Sequence, residues 1–171
     1  MISKYKKLMK KGSITHYCYL NSPLGKLILA GDKNFLILIE FPDKKRAKKP
    51  DKGWLYSPSR FKPECDELIR YFQGELKKFS IKCHITGTAF QKKVLNELKK
   101  IPYGQTMSYS DVADRIDHPR ACRAVGSANG KNRLPIIFPC HRVISNSGKL
   151  GGFSGGLSIK RKLLELELEH V

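Results

Sequence analysis

The chain has no apolar stretch of transmembrane length, and its basic start, Met1-Ile2-Ser3-Lys4-Tyr5-Lys6-Lys7, leads into no hydrophobic signal region. A soluble, cytoplasmic protein without a membrane partner is therefore expected. It has no C-x-x-C pair either. Its five cysteines, at 18, 65, 83, 122 and 140, are odd in number and scattered, which argues against a disulfide framework and a zinc ribbon. Cys83-His84, with Cys18 and His16, are too loosely spaced to read as metal ligands. There is no internal repeat, and no GK[ST] follows a strand pattern, so the glycine-rich segment Gly148 to Gly156 is not a phosphate loop. Acidic residues are scarce, 15 against 33 basic ones, for a net charge of +18. Such an excess points to a polyanionic partner, nucleic acid first and an anionic membrane second. The charge is spread along the chain, with 19 basic and 8 acidic residues through position 85 and 14 and 7 after it. Two clusters stand out, Lys4 to Lys11 and Lys44 to Lys52, and each taken alone reads as a solvated surface run.

At 171 residues the chain can hold one medium domain or two small ones. The pattern predicts an α+β fold. Residues 1–84 form a small N-terminal α/β unit with antiparallel strands, and residues 85–171 a mainly helical domain with a helix-turn-helix. His16 to Phe41 reads as a hairpin or meander, with turn chemistry at Asn21-Ser22-Pro23-Leu24-Gly25 and a β-prone run at Phe35 to Phe41. Charged, proline-bearing Pro42 to Ser59 reads as a loop. Pro63 to Phe72 reads as a helix with Leu68, Tyr71 and Phe72 on one face. Nothing in this first unit announces chemistry. Helices follow at Phe90 to Ile101, at Ser110 to Ile116 with Ser110 as its cap, at Arg120 to Asn129, and at Ser158 to Glu169.

Pro139-Cys140-His141-Arg142-Val143 carries the chemistry. A cysteine beside histidine and arginine is a setting for a thiolate, the nucleophilic form of sulfur. On the pentapeptide alone, a small buried residue ending a core strand, Leu134 to Phe138, is an equally good reading.

In the context of its neighbours the block resembles the O6-alkylguanine-DNA alkyltransferases (methylated-DNA–protein-cysteine methyltransferases). Phe90 to Tyr109, Arg123-Ala124-Val125-Gly126, Asn132-Arg133-Leu134-Pro135 before the PCHRV block, Gly152 to Leu157, and Lys160 to Glu167 match in order. A weak extension runs into Ser22-Pro23-Leu24-Gly25-Lys26. The resemblance implies direct repair of double-stranded DNA, in which the sulfur of Cys140 takes the alkyl group from O6 of guanine and keeps it. It implies that His141 acts as base through a water, that Glu167 orients it, that Tyr109 donates to the purine, and that Asn132 belongs to the catalytic group. It places Arg123, Ala124, Gly126, Ser127, Ser110, Tyr109 and Arg142 against DNA, and Pro135, Ser145, Asn146, Phe153, Ser154 and Gly155 around the base.

From spacing alone Glu167 is indistinguishable from Glu165 and Glu169, Tyr109 could be a core aromatic, and Arg123 a phosphate contact. Adjacent side chains of an extended segment point apart, so no short Cys140–His141 contact is expected. No cofactor is expected, and no metal, because Asp32 stands where some relatives carry a zinc-binding cysteine. A monomer is expected. A lesion-binding relative without transfer chemistry would lack Cys140, a plain helix-turn-helix regulator would not need it, and a cysteine hydrolase would need an oxyanion hole that the sequence does not announce.

Overall fold

The structure, a computed structural model, describes residues 13–42 and 49–171; the cluster Lys4 to Lys11 and most of the cluster Lys44 to Lys52 lie outside the described residues. Among the described residues no helix is long and apolar enough to cross a membrane. The fold is α+β. Strands β1 (His16–Ser22), β2 (Gly25–Gly31) and β3 (Leu36–Glu40) form the expected antiparallel meander. The β1–β2 turn is locked by Ser22, whose Oγ donates to the Gly25 carbonyl and accepts from the Leu24 N–H.

One expectation is corrected within Pro42 to Ser59. Leu55–Tyr56 forms a short strand, β4, that pairs parallel with β1, giving the order β3-β2-β1-β4, and a 3-10 turn, Pro58–Phe61, then leads into helix α1 (Lys62–Phe72). The charged composition hid β4, because both its side chains are exposed at the sheet edge.

Helix α2 (Ala89–Leu98) begins in a capping box between Thr88 and Gln91, and helix α3 (Tyr109–Arg115) in one between Ser108 and Asp111. Ser108 is thus the cap expected of Ser110, whose hydroxyl is instead bonded to Ser108 and to Asn146. Helix α4 (Cys122–Gly130) follows across a turn in which Asp117 takes a left-handed φ of 60°, completing the helix-turn-helix. Helix α5 (Leu157–Glu169) closes the chain.

Leu134 to Phe138 is not a strand. It is a buried turn in which Ile136 holds a φ of 74°, a conformation costly for a β-branched residue, on the order of 1–3 kcal/mol. Asn132 braces it, its Nδ2 donating to the Phe138 carbonyl at 2.7 Å and its Oδ1 accepting from the Leu134 N–H at 3.0 Å. After the turn, Val143–Ile144 (β6) pairs parallel with Met107–Ser108 (β5), in the register Met107 to Val143. That short ladder sets the segment leading into Tyr109 beside the segment that follows Cys140. The two halves share one apolar cluster, in which Leu27, Leu29, Leu36 and Leu68 meet Val94, Leu98, Val112 and Ile137. Each fully buried aliphatic side chain of that kind contributes roughly 1.5–3 kcal/mol.

Candidate active site

Cys140 opens a 3-10 turn, Cys140–Arg142, rather than an extended segment. Side chains one apart in a 3-10 helix project about a third of a turn from each other, and no hydrogen bond joins the Cys140 and His141 side chains, although the His141 backbone favours the Cys140 thiolate. The thiol is 1% exposed. Burial pushes its pKa up to about 11, against the opposing pull of the Asn132 side chain and the Lys160 ammonium. The resting group is a masked thiol.

His141 is fully buried, with Nε2 2.7 Å from Glu167 Oε1. Burial pushes its pKa down, so the ring is neutral. A carboxylate only accepts, so Nε2 carries the proton and Nδ1 is left as a free acceptor. That Nδ1 is buried with no protein hydrogen-bond partner. A neutral imidazole oriented by a carboxylate, with a bare nitrogen one residue from a thiol, is equipped to receive a proton.

Glu167 receives five hydrogen bonds. Oε1 accepts from the Tyr71 hydroxyl, His141 Nε2 and Arg142 Nη2, and Oε2 accepts from Arg142 Nε and the Gly104 N–H, all at 2.7–3.0 Å. Burial alone would raise its carboxyl, but the His141 and Arg142 hydrogen bonds and charges hold it well below the usual carboxylate range. Arg142 corrects an expectation. It was assigned to DNA, yet it is 5% exposed, grips Glu167 with two nitrogens, and donates Nη1 to the Ile101 carbonyl at 2.6 Å. Each of its three nitrogens donates inside the protein, and its burial keeps the guanidinium away from phosphate.

Above the cysteine turn lies a cleft of about 490 Å³ lined by Tyr109, Gly126, Asn129, Gly130, Gly152, Phe153 and Ser154. Asn129 links its wall to the backbone of Cys140, donating Nδ2 to the Cys140 carbonyl at 3.3 Å. The half-buried Tyr109 donates its hydroxyl to the Gly152 carbonyl at 3.3 Å, a long bond that a better acceptor can replace. Gly151 has a φ of 67°, and a Cβ there would sit 3.0–3.1 Å from the Tyr109 ring and hydroxyl. A side chain at Gly151 would therefore strain the backbone and displace Tyr109.

The remaining expected pocket residues divide. Ser154 lines this cleft and also, with Pro135 and Gly155, a larger groove of about 1010 Å³ facing Phe41 and Arg133. Phe153 packs against Phe41 with the rings tilted by 49° and their centroids 5.6 Å apart. Ser145 and Asn146 line neither cavity, Ser145 being bonded to the Lys149 carbonyl and Asn146 to Ser110. On α4, Arg123, Ala124 and Ser127 are exposed with Gly126 between them, while Val125, Ala128 and Asn129 turn inward.

Residues 89–169 match the family model for the DNA binding domain of 6-O-methylguanine DNA methyltransferase, and residues 15–85 match the model for its ribonuclease-like domain. The chain belongs to the O6-methylguanine-DNA methyltransferase family. The methylated-DNA–protein-cysteine methyltransferase of Methanosarcina acetivorans is 46% identical over 153 residues, covering 89% of this chain and 97% of the relative. Its Mycobacterium bovis counterpart is also 46% identical over 153 residues, covering 89% and 92%. Among solved structures, Mycobacterium tuberculosis OGT in complex with DNA has a TM-score of 0.85 at 44% identity, covering 92% of this chain and 95% of that one. The O6-methylguanine-DNA methyltransferase of Pyrococcus kodakaraensis has a TM-score of 0.66 at 25% identity, covering 88% and 98%.

Two residues of this methyltransferase site were not legible in the sequence. Tyr71, on α1 of the unit that seemed devoid of chemistry, is fully buried and donates to Glu167 at 2.7 Å. Lys160 is buried at the start of α5, and its ammonium donates to the carbonyls of Val143 and Leu150 and lies 6.0 Å from the Tyr109 ring centre. Burial lowers its pKa to about 8, against the opposing pull of Cys140. It pins the glycine-rich loop over the site and supplies positive potential near the sulfur.

Proposed function

We propose that this protein repairs O6-alkylated guanine in duplex DNA, with Cys140 as the acceptor that carries the alkyl group away. The observation that carries the assignment is the masked Cys140 thiol beneath the Tyr109 cleft, next to a neutral His141 whose free Nδ1 is set by Glu167. The thiol proton leaves for His141 Nδ1 through a bridging water. The sulfur then attacks the alkyl carbon as the C–O6 bond breaks. Tyr109 turns its hydroxyl from Gly152 to the departing purine, so that the base does not leave as a bare anion. The sulfur–carbon bond is a thioether, a very poor leaving group, and each molecule reacts once.

The reading gives α4 the DNA contact. Arg123 enters the stack where the base has been turned out, a step that costs a few kcal/mol. Ala124, Gly126 and Ser127 keep that face thin enough for a minor groove, with Ser110 beside them. Phe153 and Ser154 wall the cleft that holds the base, Asn132, Pro135 and Gly155 line the groove beside it, and Ser145 and Asn146 belong to the loop that Ser110 holds. The division falls near residue 84, with residues 85–171 supplying every reacting group and residues 1–84 bracing Glu167 through Tyr71. One chain is a complete reagent, so it works as a monomer, and because its target is chromosomal DNA it belongs in the cytoplasm.

The test is the intact mass of the protein after incubation with a duplex carrying one O6-methylguanine. The expected result is one added methyl group, on the Cys140 peptide, that stops at one equivalent. Tight binding to the lesion without any mass change would leave only a damage sensor. Affinity for undamaged duplex should also fall steeply with salt, by roughly 10³-fold or more between about 50 and 200 mM if six or more phosphates are neutralised. A filter-binding series at several salt concentrations checks this, and a flat response would separate the +18 charge from DNA contact.

A further inference from the structure

Outside the active site, two of the remaining four cysteines are not isolated. Cys18 on β1 and Cys65 in the first turn of α1, 47 residues apart, hold their sulfurs 3.8 Å from each other. A disulfide needs about 2 Å between sulfurs and about 3.8 Å between Cβ atoms, so modest side-chain rotation closes the gap if the Cβ atoms already lie near that separation. The environment of the pair is asymmetric. Cys18 is 1% exposed, whereas Cys65 is partly open to solvent. The hydrogen bond between them stabilises the thiolate on Cys65 and pushes the Cys18 thiol well up. A reachable sulfur with thiolate character, backed by a hidden thiol in contact with it, is the arrangement that thiol–disulfide exchange requires.

We propose that Cys18 and Cys65 form a reversible disulfide, made by exchange with a low-molecular-weight disulfide, that ties strand β1 to helix α1. In the first step Cys65 sulfur attacks one sulfur of the small disulfide, forming a mixed disulfide and releasing one small thiolate. In the second, Cys18 gives up its proton and attacks Cys65 sulfur, releasing the other. The protein loses two electrons and two protons, and the small disulfide becomes two thiols. Intracellular disulfides of this kind are transient. Cys140, buried in the other half of the molecule and not paired with either sulfur, takes no part. The bond lies on the same helix as Tyr71, so it stiffens the element that braces Glu167 without touching the nucleophile. This inference does not depend on the alkyl-transfer reading.

The full-length reduced protein is incubated with oxidised glutathione, free thiols are then alkylated, and the digest is mapped. Expected are a loss of two hydrogens, a linked pair of peptides carrying Cys18 and Cys65, and a Tm higher by on the order of 5 °C, all reversed by dithiothreitol. Cys65→Ser should show neither the mass loss nor the Tm rise while keeping one equivalent of methyl transfer. Cys18→Ser should stop at a glutathione adduct on Cys65, which reads the first step separately. In the wild type, a persistent glutathione adduct on Cys65 with Cys18 still open to alkylation would overturn the proposal, as would no reaction at either sulfur.

Discussion

Cys140→Ala is expected to abolish methyl transfer completely while leaving affinity for lesion-bearing duplex within a few-fold of the wild type. The reaction needs a sulfur lone pair at one point, and of the other described cysteines only Cys122, at the start of α4, acts on Tyr109 of the cleft. Cys18 and Cys65 sit together on β1 and α1, and Cys83 bridges to β3. In the proposed reading, binding draws on the exposed face of α4, which the substitution does not touch. Removing one sulfur from a packed site costs on the order of 1 kcal/mol, too little to unfold the domain. Gel-shift titration with an O6-methylguanine duplex, alongside methyl transfer followed by mass, separates the two quantities. Residual transfer in the alanine variant would move the nucleophile elsewhere, and a parallel loss of binding would mean that Cys140 holds the base rather than reacting with it.

The pKa pattern explains why such a reagent survives until it is needed. A permanently ionised, exposed thiolate would be consumed by any electrophile or oxidant. Here burial keeps the sulfur protonated, with a pKa of about 11, and keeps His141 neutral. The cation of Lys160 and the Asn132 side chain favour the thiolate without overcoming desolvation. Ionisation thus becomes favourable only when a bound base brings an alkyl carbon to the sulfur and a donor to its leaving oxygen. The nucleophile is spent once, and the site withholds it.

Much of the C-terminal half was legible because its chemistry lies in contiguous blocks. Cys140, His141 and Tyr109 stand within short motifs, and the helix-turn-helix follows from periodicity and small residues. Glu167 also had a readable signal. Ile159, Leu163 and Glu167 recur every four residues along α5, so the stripe that buries the two aliphatic residues buries this glutamate and leaves Glu165 and Glu169 exposed. Arg142 failed because a charged residue defaults to the surface, and only the fold reveals the carboxylate that pays for its burial. Lys160 was hidden in the run Lys160-Arg161-Lys162, of which the other two are exposed. Tyr71 was correctly read as lying on an apolar face, but the partner of its hydroxyl lies 96 residues away. The Cys18–Cys65 contact spans two elements, and no spacing rule encodes it.

Glu167→Gln should have the second largest effect, on rate and stability together. The amide keeps the shape of the side chain but removes its charge, so Arg142 is left as a buried cation facing a neutral group. Breaking a buried ion pair in this way costs about 3–5 kcal/mol. For a chain of this length that lowers Tm by roughly 10 °C. Transfer should slow by about 10²-fold, because His141 loses the carboxylate that fixes its tautomer and stabilises the charge it acquires. The pH dependence gives the sign. Glu167 is held below its ordinary range in the folded state, so its contribution is fully present above the unfolded value of about 4.3 and is lost as pH falls toward the folded one. The Tm gap between wild type and variant should therefore be constant near neutrality and narrow as pH falls below about 4. Thermal melts across that range, with single-turnover transfer rates at neutral pH, check both parts. A gap that stays open in acid would show that the glutamine costs stability through packing, and an unchanged rate would take Glu167 out of the proton path and leave it a brace for Arg142, Tyr71 and the Gly104 turn.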